Sequence, residues 1–329
     1  MKRKYGLLLP HFGPHASRDA LVGMAAKIED YGFDSVWVRD HIIFHPHGFE
    51  DPDRTHVEPF VVLSAIAAVT EQLILGFGSL IPHRHPIYAA LSLGSLEWLA
   101  GPGRIIAGFG MGTYDHEFDA LGLGEPDRRE LLPEHIEIMR TLWSGEEVSY
   151  KGKFYSFEDV DVHPEPSGGE VPVWYCGGSA AAVRRTIEWR LQGWMPGRIN
   201  FASFEKRIDR LKKLMEEHGV EQMPEVSAIP ITSPGRTFED GVSKVDAEGM
   251  LESARKRKWL PGASGGFETP RDLEGALIAG TADDIIESVE AYHERGLAHL
   301  VFDLRNRFDE WEELVASLAE DVLPEVRRG

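Results

Sequence analysis

The stretch from Leu73 to Phe109 reads LILGFGSL, IPHRH, PIYAALSLGSLEWLA, GPG and RIIAGF when it is broken at its turn residues. Its first and last pieces are short and almost wholly apolar, as a strand buried on both faces has to be. Between them Pro86 opens a helix-forming run and Gly101-Pro102-Gly103 stops it. Leu73 to Leu80 is therefore a strand, residues 86–100 a helix, and Arg104 to Phe109 the next strand. Strand, crossover helix and strand make a parallel βαβ unit.

The same rhythm runs outward in both directions. Upstream lie a strand at Tyr5 to Pro10 and a helix at Ser17 to Tyr31, which carries Leu21, Met24, Ala25 and Ile28 on one face and stops at Gly32. A strand at Phe33 to Val38 and an apolar helix over 60–70 follow. Downstream, residues 128–144 place Leu132, Ile136, Met139 and Trp143 on one helical face. Then come a strand at Val171 to Cys176, a helix at Ser179 to Trp189, and a weak strand at Gln192 to Pro196. Residues 203–218 form an amphipathic helix with Phe204, Ile208, Leu211 and Met215, and Val226 to Ile231 is a strand. Gly280-Thr281-Ala282-Asp283-Asp284 opens a helix with a capping-box pattern and runs to Arg295. Leu300 to Leu304 is the last strand and 309–323 the last helix.

Eight strands, each followed by a helix, predict a closed (β/α)8 TIM barrel. An open doubly wound sheet wants a glycine-rich fingerprint after its first strand, where this chain has His11-Phe12-Gly13-Pro14. Two segments interrupt the alternation, one after the fourth strand and one after the seventh. Residues 145–170 read as a hairpin insertion with Lys151-Gly152 at its turn, ending near Pro164 and Pro166. Residues 233–278 read as a long loop with one or two helices. They hold Gly262-Ala263-Ser264-Gly265-Gly266 and a basic run, Arg255 to Lys258, taken as a solvated helix face.

The chain has 329 residues, 42% of them hydrophobic and 27% charged, an ordinary globular balance. A barrel of this kind reaches that length alone, so residues 1–329 are read as one domain. With 35 basic against 54 acidic residues the net charge is −19, which speaks against nucleic acid or an anionic membrane as partner. The single cysteine, Cys176, allows no intramolecular disulfide and suits a reducing compartment. No 18-residue apolar run occurs, and Met1 to Gly6 leads straight into a strand. The expectation is a cytoplasmic protein.

In such a barrel, chemistry sits at the C-terminal ends of the strands. Those ends carry Pro10 to Gly13, Arg39-Asp40-His41, Gly76 to Pro82, Gly108 to Thr113 and Cys176-Gly177-Gly178-Ser179. Gly177-Gly178-Ser179 opens a helix, whose N–H groups and dipole suit a phosphate, although an ordinary N-capped turn reads the same. Gly108-Phe109-Gly110-Met111-Gly112 fails a dinucleotide fingerprint because Thr113 stands where glycine is required. Asp40-His41 is either a working pair or a strand–loop junction. His45, His47 and His56, with His83 and His85, cluster without metal-ligand spacing, and no metal is expected. Cys176 reads as inert, and no Gly-x-Ser-x-Gly elbow supports acyl transfer. Among the carboxylates, Glu97 and Glu117 lie nearest to plausible strand ends.

The motifs, taken in order, resemble the bacterial luciferase-like monooxygenase family. Gly32 to Val38 with Asp40-His41, Leu75 to Ser79 with Pro82 and Pro86, and Arg104 to Gly112 with Glu117, Gly122, Arg128, Glu134 and Leu142-Trp143 carry the resemblance. Lys151 to Tyr155, Pro164, Pro166, Pro172, Gly177 to Ser179, Gly280 to Asp284 and Gly296 with His299-Leu300 continue it. The resemblance implies a TIM barrel of the luciferase type that uses coenzyme F420 or FMN. It places the ring near Asp40, His41, Gly78, Ser79 and Gly110, with a cis peptide at Gly78–Ser79 in the F420 branch. It places the phosphate on Gly177, Gly178 and Ser179, and His116 at a cofactor-contacting position. His41 becomes the catalytic candidate. Thr113 replaces the acidic residue of a sugar-dehydrogenase branch, which argues against sugar oxidation. Gly193-Trp194-Met195-Pro196 and Asp40-His41 favour F420 and hydride transfer with a small organic substrate. The alternatives are a two-component FMN monooxygenase fed by a separate flavin or F420 reductase, a cofactor-free binding barrel, and a metal-dependent hydrolase. The hydrolase would need His-x-His after the first strand, where His11 and His15 are misspaced. The resemblance also implies a homodimer and makes 233–278 a lid.

Overall fold

The computed structural model describes residues 2–46 and 50–328. Its strands are β1 (Lys4–Leu8), β2 (Ser35–Val38), β3 (Ile74–Leu80), β4 (Ile105–Phe109), β5 (Val148–Lys151), β6 (Ser156–Val160), β7 (Val173–Cys176), β8 (Gly193–Met195), β9 (Glu225–Ala228), β10 (Ile231–Pro234), β11 (Leu277–Gly280) and β12 (His299–Phe302). Eight close into a barrel in the order β1-β12-β9-β8-β7-β4-β3-β2. Every pairing in it is parallel. The expected alternation is therefore the observed architecture.

Glycines inside three strands make room for two indoles. A Cβ on Gly76 would lie 2.4 Å from the Trp37 ring, and one on Gly193 2.4 Å from the Trp174 ring. Trp37 and Trp174 pack together inside the barrel at 5.5 Å between ring centroids. A Cβ on Gly6 would run into Ser35 Oγ, which holds a polar plug at the N-terminal end. Trp37 Nε1 donates to Ser35 Oγ (2.8 Å), Ser35 donates to His299 Nε2 (2.7 Å), and His299 Nδ1 donates to Glu225 Oε1 (3.2 Å). Lys4 Nζ closes the chain on Glu225 at 2.7 Å. Every polar atom named here is partnered, as burial demands.

A hairpin, β5–β6, forms in the first interruption, antiparallel with Lys151 opposite Ser156, so its turn spans residues 152–155 and not Lys151-Gly152. The second interruption is more ordered than a loop. β10 and β11 pair in parallel from Ile231↔Leu277 to Pro234↔Gly280, and helices Phe238–Val242 and Ala247–Lys256 lie between them. Met250, Leu251, Ala254, Phe267 and Leu273 pack with Ile231 and Leu277 into a small core of its own. The sequence reading ends the loop at residue 278 and opens a helix at Gly280, whereas Leu277 to Gly280 is a strand. Four residues pairing with a distant four leave no local periodicity to read.

Candidate functional site

At the C-terminal ends of β2, β3, β4 and β7 lies a cavity of about 440 Å³, a size suited to a small molecule or part of a cofactor. Asp40, His41, Gly78, Ser79, Gly110, Gly177, Gly178 and Ser179 all line it. His116 does not. It sits on the helix Asp115–Ala120, its Nε2 donates to Ile43 O at 3.3 Å, and its ring lies 4.3 Å from that of His45. His116 therefore braces the loop that carries His41 instead of forming the cavity wall. His47 falls outside the described residues.

The floor is backbone. The Gly78–Ser79 peptide is cis, and the β3–β4 register slips there, with Gly78 opposite Gly108 but Leu80 opposite Phe109. Ser79 bulges as a result, towards a residue with no side chain. A Cβ on Gly110 would sit 2.5 Å from Ser79 Oγ, and one on Gly78 3.3 Å from Met195 Sδ.

Asp40 is buried and heavily engaged. Its Oδ2 accepts from the Ile81 N–H (3.0 Å), and Arg84 forks across both of its oxygens, with Nη2 at 2.8 Å from Oδ1. Arg84 also reaches Glu58 at 2.9 Å. Asp40 thus ties the end of β2 to the loop after β3 before any ligand is considered. Burial holds the neighbouring His83 below the usual histidine range, although Asp40 pulls the other way.

His41 Nδ1 lies 3.3 Å from Glu117 Oε2. Glu117 is fully buried, and its other oxygen accepts from the N–H groups of Ile42 (2.7 Å) and Ile43 (3.2 Å). Burial pushes this carboxyl upward, but His41 and the two N–H groups outweigh it and hold the group below the usual range. Phe44, His56 and Tyr114 surround the His41 ring, at 5.4, 5.6 and 5.7 Å between centroids. Burial, then His11 and His41, hold His56 down to about 2, and neither of its ring nitrogens has a hydrogen-bond partner among the described residues. His11 is a brace: it accepts from Arg39 N–H (3.0 Å) and donates to Leu9 O (3.1 Å), and burial holds it down to about 3.

On the far side, Ser179 caps the helix Ala180–Glu188 by accepting from Ala182 N–H. The Gly177 N–H is taken by Met195 O (2.8 Å), so an anion there rests on later N–H groups. Arg185, one turn along, lines the cavity and bonds Tyr175 Oη at 3.0 Å. Burial pushes the Cys176 thiol up, which keeps it protonated and unreactive.

Sequence reading missed a charged wall. Arg39 pairs with Glu50 at 3.0 Å, Arg305 with Glu50 at 2.6 Å, and Arg305 Nε with Asp303 Oδ1 at 2.8 Å. Burial, then Arg305, hold Arg39 down to about 10 and Arg198 down to about 9. Arg39 and Arg305 thus share Glu50, and Arg305 also holds Asp303. Beside them lies a second cavity of about 490 Å³, lined by Phe12, Phe44, Glu50 and Arg305. Asp303 and Arg305 follow directly on the last barrel strand, the position that would have signalled them. Among the described residues no three His, Cys, Asp or Glu side chains converge as a metal would need. None of the described helices is long and apolar enough to cross a membrane.

A family model described as luciferase-like monooxygenase matches residues 4–299. An F420-dependent glucose-6-phosphate dehydrogenase of Nakamurella multipartita is 26% identical over 339 residues, covering 96% of this chain and 94% of that protein. The fold matches an F420-dependent secondary alcohol dehydrogenase in complex with an F420–acetone adduct (TM-score 0.79, 19% identity, 99% of each chain). It also matches the FMN-bound oxygenating constituent of 3,6-diketocamphane monooxygenase from Pseudomonas putida (TM-score 0.75, 17% identity, 99% of each chain).

Proposed function

This chain belongs to the luciferase-like monooxygenase family, and from that premise we propose that it is an F420-dependent oxidoreductase moving hydride to or from a small organic substrate. The observation that carries the reading is the convergence of the Ser79 bulge, Gly110, the Gly177–Ser179 turn and His41 on one cavity. Gly78 and Gly110 line the cavity with bare backbone, which a flat ring can approach closely. When bound, F420 supplies or accepts the hydride.

The chain's own residues do the rest. The amides after Gly177, the Ser179 hydroxyl and Arg185 would receive phosphate. His41 would meet the substrate's oxygen or nitrogen and hold or accept its proton. Thr113 lines the cavity with a neutral hydroxyl, so the substrate is not read as a sugar. The segment 233–278 acts as a lid that selects it.

The proposal extends to a cytoplasmic homodimer. Val61, Tyr88, Trp98 and Leu99 are 63%, 63%, 68% and 60% exposed on two neighbouring helices, Pro59–Ala67 and Pro86–Ala100. An apolar patch of that kind suits a second copy. Fluorescence titration with oxidised F420, and separately with FMN, tests the cofactor. Tight binding of F420 alone is expected. Tight binding of FMN alone would replace the reading by a two-component monooxygenase served by a separate reductase, and binding of neither would favour a cofactor-free barrel.

A further inference from the structure

We propose that Glu117 is a positioning residue that holds His41 as the tautomer with its proton on Nδ1, so that the unprotonated Nε2 faces the cavity. The inference rests on the proposed role of His41 and adds which of its two nitrogens does the work.

The geometry comes from three hydrogen bonds on one buried carboxylate. Glu117 Oε1 takes the N–H groups of Ile42 and Ile43, which fixes the carboxylate plane from the loop that carries His41. Oε2 then stands 3.3 Å from His41 Nδ1. A carboxylate only accepts hydrogen bonds, so the proton between them belongs to Nδ1. His41 lines the cavity, and with Nδ1 turned to Glu117 ring geometry puts Nε2 on the side away from that carboxylate. The other neighbours do not compete for Nδ1. Phe44 has no polar atom, and Tyr114 Oη donates to His45 O at 3.0 Å. His56 meets the ring edge to face.

This assignment opposes intrinsic preference, because a free histidine side chain favours the proton on Nε2. It gives His41 a lone pair towards the substrate when the ring is neutral, and a donor there only when the ring is protonated. His41 is thereby set to accept a proton from a substrate O–H or N–H.

The test is the ¹⁵N spectrum of the histidine rings in the intact protein at about pH 8, with His41 assigned by comparison with H41N. The expected wild-type pattern is pyrrole-like Nδ1 and pyridine-like Nε2, with the Nδ1–H form in excess by about tenfold, as one charge-assisted bond of ordinary net strength would give. In E117Q the two loop N–H groups keep the amide oxygen, so the amide NH₂ faces His41 Nδ1. Nδ1 must then accept, and the tautomer ratio should invert. A merely structural Glu117 would leave the ratio alone. An Nε2–H form in the wild type, or no change in a folded E117Q, overturns the proposal. If E117Q does not fold, the wild-type spectrum decides alone. Adding oxidised F420 separates the two readings. An unmoved His41 signal with the Nδ1–H tautomer in place would count against the cofactor assignment and not against Glu117.

Discussion

Lowering the pH from about 7.5 to about 5.5 should destabilise the fold by a calculable amount, because several imidazoles are buried in their neutral form. Burial holds His11 and His135 down to about 3, and His56 down to about 2. In the unfolded chain each returns to about 6.5. The sign follows from proton counting: below about pH 6.5 the unfolded state binds a proton that the folded state refuses, so stability falls with pH. Each site loses about 1.4 kcal/mol by pH 5.5, and the three together about 4 kcal/mol, against a total of about 5–15 kcal/mol for an ordinary domain. Glu117 and Glu225 are held below the usual range, so their contributions disappear only below about pH 4.5, outside this window. Relief of self-repulsion in a chain of net charge −19 acts in the opposite direction, and a difference measurement removes it. His135 is fully buried beside Phe109, and neither of its ring nitrogens has a hydrogen-bond partner among the described residues. His135→Phe therefore removes the titration without removing a hydrogen bond. Urea midpoints for wild type and H135F should diverge by about 1.4 kcal/mol between the two pH values, with the variant less acid-sensitive. Parallel pH profiles would refute the buried neutral state of His135.

Gly178→Val should lower F420 affinity more than about tenfold, read by fluorescence titration, since a Cβ there stands 3.2 Å from Pro196 O and displaces the turn assigned to phosphate. Arg84→Met should cost about 3–5 kcal/mol in urea unfolding at neutral pH, because it leaves the Asp40 carboxylate buried without its guanidinium; a loss below about 1 kcal/mol would mean that Asp40 finds water. Trp98→Glu should convert a dimer to a monomer in sedimentation velocity without changing the circular dichroism spectrum, since Trp98 is 68% exposed.

The barrel could be read from sequence because a parallel strand covered on both faces writes itself as an unbroken apolar run, as in Leu73 to Leu80 and Arg104 to Phe109. The glycines and polar residues that end such runs inherit their places from the topology. That is why the strand ends that hold Gly78, Ser79, Gly110 and Gly177 to Ser179 could be named before the cavity was seen, while the family resemblance picked these residues out within them. His116 could not be placed in the same way, because it lies on a short helix whose direction depends on a loop. The pairing of β10 with β11 escaped for a related reason: it joins two four-residue runs at long range. The charge partners were the least legible of all. Nothing local tells that Arg84 belongs to Asp40, or Glu50 to both Arg39 and Arg305, since loop paths decide which charges meet.

The two ends of the barrel show how far residue identity alone can mislead. Ser35, His299 and Glu225 form a hydroxyl–imidazole–carboxylate chain whose distances would suit an activated nucleophile. Yet each begins its strand, at the end away from the cavity. Ser35 and His299 are fully buried, and the Ser35 oxygen already accepts from Trp37. No reacting atom can approach, so the chain serves as a plug. His41 and Glu117 repeat the imidazole–carboxylate half of that arrangement at the other end, with the ring on a cavity wall. There the second nitrogen is left for a ligand instead of a serine. The same pair is mortar at one end and a candidate for chemistry at the other, and what separates them is which end of a parallel strand each residue occupies.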